Sequence, residues 1–191
     1  NFIADMELIA IPSCNESTLA PYVPNGQNPW NTSKIIHAYR RLGFGASQAE
    51  VDAALLLTPG AFIDSLVDNA FSLPPTPAPA WGYWSFDDYT DYENELFPQY
   101  MEWSLQTMND LLTENLRGRM AFFWMNHFVT ELEVYAHVPY TFQYYNAIQM
   151  HAIGNFKEFV KAISTNNAML VYLNGFDNTN IDPNENFARE L

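Results

Sequence analysis

From residue 93 to the C-terminal end, apolar side chains recur every three or four positions and nowhere alternate with period two for long. Successive strand residues point to opposite faces, whereas residues three and four apart share one face of a helix, so this spacing commits the chain to packed helices. Met101, Leu105, Met108 and Leu112, then Leu116, Met120, Phe123 and Trp124, predict two long helices over residues 93–112 and 114–128. Val138-Pro139 reads as a break, because the proline ring removes a donor and restricts the residue before it. Helices follow over 140–153, 156–163 and 168–173, separated by Gly154-Asn155 and by Thr165-Asn166-Asn167.

The N-terminal half carries clearer start and stop signals. Ile35, Ile36, Tyr39 and Leu42 recur at helical spacing after Ser33, and Gly43 supplies the stop. Ser47-Gln48-Ala49-Glu50 is a capping box, in which serine and glutamate satisfy each other's free backbone N–H groups at a helix start. Thr58-Pro59 starts a third helix, with Phe62, Leu66 and Val67 as its buried stripe. Pro12, Pro21, Pro24 and Pro29 oppose helix and predict an extended arm over residues 1–32. Leu73-Pro74-Pro75-Thr76-Pro77-Ala78-Pro79 fixes an extended path, and Trp81, Tyr83, Trp84, Phe86, Tyr89 and Tyr92 follow it among Asp87, Asp88 and Asp91.

These aromatics have two readings: a platform for a sugar ring or peptide with carboxylates at its edge, or a strap whose rings plug into the core. Aromatics bury large areas wherever irregular chain is fastened to a helical body, which favours the strap. Residues 174–183 form a polar loop, and Asn184 caps a last helix over 185–191. The expected fold class is all-α: an irregular multi-helix bundle over 33–191, with an extended N-terminal arm and a Pro/aromatic-rich strap at 73–92.

Composition narrows the partners. With 48% hydrophobic and 16% aromatic residues the chain has the makings of a core. Its 22 acidic against 8 basic residues give a formal charge of −14, which repels phosphate backbones and anionic lipid, so nucleic acid is not an expected partner. No apolar run approaches the roughly 20 residues that span a bilayer. The opening residues carry Asp5 and Glu7 without a basic stretch and do not read as a signal peptide. Cys14 is the single cysteine, so a disulfide needs a partner elsewhere, and the Ile11-Pro12-Ser13-Cys14 likeness to a lipidation box is spoiled by Pro12. Residues 177–182 imitate a calcium loop but lack its central glycine and closing glutamate.

Five blocks in order carry a family resemblance: residues 36–47 with Ala49-Glu50-Val51, then 119–128, 152–159, 167–174 and 183–191. Together they resemble the bacterial family known as domain of unknown function 1800. The resemblance implies members longer than this chain, running on past residue 191 into more helices, and commonly exported. Partners are then other envelope or extracellular proteins and a C-terminal part of the same protein. Met125 stands where the family usually has a polar residue or histidine beside Asn126-His127, and 73–92 looks like a local insertion.

Chemistry, if present, centres on His127, placed at the end of an apolar helix where a carboxylate can tune it. Glu185 and Arg189, four apart, share a helix face, whereas Glu190 lies roughly 140° round from Glu185. If the 115–128 helix packs on the last helix, His127 meets Glu185 as an acid/base pair or as half of a divalent metal site suited to iron, manganese or zinc. The plainer reading is a structural hydrogen bond. Arg40, Arg41, Arg117 and Arg119 are expected to pair with carboxylates such as Glu185 or Glu190, or to bind an anionic ester.

Three functions follow as expectations: an exported scaffold or binding component, a metal-dependent or acid/base hydrolase on His127, Glu185 and Glu190, or carbohydrate binding through Trp81 and Trp84. Arg40, Arg41 and Arg189 are the further ligand-binding candidates.

Overall fold

The computed structural model describes residues 20–190, which form ten α-helices and two 3-10 turns with no strand among them. The fold is all-α. Cys14, Leu191 and most of the expected arm lie outside the described residues, and 20–31 contain neither helix nor strand.

Local signals set the starts. Asn31 accepts the Lys34 amide and opens α1 (Thr32–Leu42). Ser47 and Glu50 form both halves of the capping box of α2 (Gln48–Leu55). Thr58 caps α3 (Pro59–Ser72), whose first residue is the proline. After the strap come α4 (Tyr92–Thr113) and α5 (Leu116–His127). A short α6 (Leu132–Tyr135) was not foreseen from the sequence.

Val138-Pro139 does not interrupt the chain. It is the first turn of α7 (Val138–His151), because a proline at the helix start loses only an amide that had no partner. Asparagines at 155, 166 and 184 accept amides at the starts of α8 (Phe156–Ser164), α9 (Asn167–Tyr172) and α10 (Glu185–Glu190).

Two cores result. Ile35 and Tyr39 of α1, Val51 and Ala54 of α2, and Phe62 and Leu66 of α3 make the smaller one, which Trp30 closes by donating to the Ala54 carbonyl at 3.3 Å. The larger surrounds α7: Phe142, Tyr145 and Ile148 meet Trp103 of α4, Ala121 of α5, Phe159 of α8 and Met169 of α9. Each such side chain contributes about 1.5–3 kcal/mol by leaving water. At Gly118 the α4 and α5 backbones touch, and a Cβ there would lie 2.8 Å from the Leu111 carbonyl.

The strap is fastened to this core by polar contacts. Thr76 gives its hydroxyl to Asp110 at 2.6 Å and its amide to Gln149 at 3.0 Å, all three buried. Arg117 grips Glu114 with two guanidinium nitrogens and donates to the Leu73 and Pro74 carbonyls at 2.7 and 2.8 Å. Trp81 is buried against Trp103 and donates to Glu102 at 2.8 Å, so its ring plugs into the core as a strap residue.

Candidate functional site

α4 turns its apolar stripe away from the core. Phe97, Met101, Leu105, Met108 and Leu112 span roughly 80° of the helix at ~100° per residue, and they are 41–68% exposed. Its buried residues are Gln99, Trp103 and Asp110, on the opposite side. The stripe that marks this helix in the sequence is therefore a surface. Polar residues can occupy the inner side because each has a partner: Gln99 accepts from Tyr89 at 2.8 Å, and Asp110 from Thr76, Gln106 and Gln149.

A groove runs beside the stripe. One half, about 330 Å³, has walls from Tyr100, Met108, Leu111, Met125, Leu132 and Tyr144. The other half, about 320 Å³, shares Tyr100 and Leu132 and reaches Phe97 and Ala136, with Glu93 and Glu133 at the end. Hydroxyls line the first half, where the Tyr135 oxygen lies 3.1 Å from that of Thr141. Thr107 and Tyr145, which also line it, have buried hydroxyls without a hydrogen-bond partner.

The two charged residues that line the groove, Glu93 and Glu133, are both acidic, and no Lys, Arg or His lines it; Glu95 and Glu102 lie on the same helix outside the lining. Hydrogen bonds from the Thr90 hydroxyl and the Asp91 amide hold the Glu95 carboxyl below its ordinary range, which keeps it charged. Behind α4, burial pushes the Tyr89 hydroxyl up to about 12, the neighbouring Tyr92 adding to it.

The sequence-chosen residues are dispersed. His127 ends α5 exposed to solvent, with Phe123 and Trp124 rings at 6.3 and 5.8 Å and Phe128 at 4.8 Å. It makes no hydrogen bond or ion pair with Glu185, which is exposed at the start of α10. That helix packs through Phe187 over Gly175. Glu190 is exposed and sits 3.6 Å from Arg189 in an exposed pair. Among the described residues no group of three or more His, Cys, Asp or Glu is placed to hold a metal ion.

Arg117 pairs with Glu114 and not with Glu185 or Glu190, because Glu114 is three residues away on the buried turn between α4 and α5. Arg40 and Arg41 are exposed on the last turn of α1 without an ion pair among the described residues, and Arg119 lies 5.1 Å over the Phe44 ring. Trp84 is half-buried edge-on to Tyr89, so the two indoles do not share an open face.

Two features escaped the sequence. Gln99, Trp103, Gln106 and Asp110 also recur at helical spacing, and that polar stripe was the available sign of an inverted α4. His137 is fully buried between Phe86 and Tyr140, at 4.3 and 4.4 Å, with neither ring nitrogen hydrogen-bonded. Burial lowers its pKa from 6.5, slightly opposed by the Ser85 backbone. Nothing in its sequence neighbourhood distinguishes it from an exposed histidine.

In comparison with known families, the sequence model of a family described as protein of unknown function (DUF1800) matches residues 37–191. No curated protein and no solved structure matches the chain.

Proposed function

The chain belongs to the DUF1800 family, and on that premise we propose that it is a binding component, a scaffold that holds another protein against α4, working outside the cytoplasmic membrane. One observation carries this reading. A 22-residue helix keeps five large apolar side chains in water while burying polar ones, and monomeric proteins rarely leave so continuous an apolar surface uncovered. An enzyme on His127 and Glu185 draws no comparable support from the geometry, since both side chains are exposed and unpaired with one another. The extracytoplasmic location is supported by the acidic balance and by the resemblance of the five sequence blocks. No described helix is long and apolar enough to cross a membrane.

The reading is tested in the native host with a photoreactive amino acid at position 105 and, as control, at the exposed Asp64 of α3. It expects discrete protein adducts at 105 alone, in an extracytoplasmic fraction. No adduct at 105, or the same adducts at both positions, overturns it.

A further inference from the structure

We infer that the occupant of the α4 groove is a cationic amphipathic helix, one whose apolar stripe is flanked by lysine or arginine. This rests on the reading of α4 as a docking face and names the chemistry of its partner. Three features of the surface carry it.

The first is shape. The groove follows α4 from Glu93 to Leu111, about 27 Å at ~1.5 Å per residue, the length of a five-turn helix. The exposed residues at 97, 101, 105, 108 and 112 are spaced by threes and fours, so a second helix alongside can interleave its own residues with them. The second is adaptability: Met108 and Met125 line the groove and Met101 is exposed on the adjoining stripe, and unbranched thioethers mould to irregular partners.

The third is charge, which selects among occupants. Glu93 and Glu133 close one end, Glu102 flanks the stripe, and no Lys, Arg or His is among the lining residues. A second copy laid α4 to α4 would bring another acidic surface and no cation for these carboxylates, in a chain already at −14. A basic helix meets them with opposite charge at that end and beside Glu102.

The experiment uses fluorescence anisotropy with the full chain and three capped 18-residue peptides. One has a Leu/Met stripe flanked by lysines, one has the same stripe flanked by glutamates, and one scrambles the first. The lysine peptide is expected to bind at least tenfold more tightly than either of the others, and more weakly as salt is raised. Leu105→Gln, a surface change checked by circular dichroism, is expected to weaken it at least tenfold, and the Glu93→Lys/Glu133→Lys pair to shift preference toward the glutamate peptide.

Equal binding of the lysine and glutamate peptides, lost in Leu105→Gln, rejects the charge inference and leaves the docking face standing. No binding of any peptide by a monomeric chain rejects both. A dimer in sedimentation that Leu105→Gln dissolves assigns the face to a second copy, and Leu105-dependent binding to phosphatidylcholine vesicles assigns it to lipid. Either result overturns the inference.

Discussion

Replacing Arg117 by methionine is the most severe single change this fold offers outside its aromatic core. The residue is 4% exposed, and its guanidinium binds both oxygens of Glu114 and the carbonyls of Leu73 and Pro74. Methionine fills most of the volume but leaves Glu114 beside Asp110 with no cation within reach. Breaking a buried pair from one side costs about 3–5 kcal/mol, because the surviving charge stays desolvated. The orphaned carbonyls add less than their full desolvation, since Leu73 and Arg117 border a cavity of about 200 Å³ through which water can reach them. The expected loss is therefore about 4 kcal/mol, from a total of order 5–15 kcal/mol. At roughly 2–4 °C per kcal/mol for a domain of this size, melting falls by roughly 8–16 °C. Urea denaturation followed by tryptophan fluorescence reads it, since Trp81 of the strap and Trp103, on which it packs, are both buried. Glu114→Gln in the same background should restore about half the loss, because both charged partners are then gone. A loss below about 1 kcal/mol for Arg117→Met, or no recovery in the double variant, refutes the assignment of Arg117 as the clasp of the strap.

Three further outcomes follow from the same structure. Burial holds His137 below 6.5, so the unfolded chain takes up its proton first; the contribution is whole above about pH 6.5 and shrinks as pH falls toward the folded value, so the stability of wild type relative to His137→Phe should fall between pH 7 and pH 5 in thermal melts. A constant difference across that range contradicts it. Gly118→Ala should destabilise by about 1–3 kcal/mol, because the new methyl meets the Leu111 backbone and not a movable side chain; unchanged urea midpoints would show that the two helices separate freely. Trp81→Phe removes the hydrogen bond to Glu102 and part of the buried indole, and about 1–2 kcal/mol should be lost while α-helical circular dichroism is kept; a neutral result means the strap does not depend on that ring.

What the sequence made legible was local. The capping box at Ser47–Glu50, the Thr58-Pro59 start and the asparagine cap of α10 act within four residues, so their outcome does not depend on distant chain, and all three formed. Class followed from periodicity for the same reason. Which face of a helix turns inward is a tertiary question, and α4 answered it against its own hydrophobicity. Thr76, reaching from 34 residues away, and Gln149, from 39, satisfy Asp110 and make a polar interior possible. At Arg117 the expected pairing with a buried carboxylate formed, but the partner was the near Glu114 and not Glu185 or Glu190 at the far end of the chain. His137 became notable only when Phe86 of the strap closed over it.

Methionine oxidation tests the inverted helix most directly. Hydrogen peroxide converts accessible thioethers to sulfoxides, and peptide mass spectrometry gives a rate for each. Met101 and Met108, 41% and 58% exposed, should oxidise in the native chain at least tenfold faster than Met169, which is 2% exposed. Met108 as slow as Met169 would place the stripe inside the fold, and the docking face would then not exist.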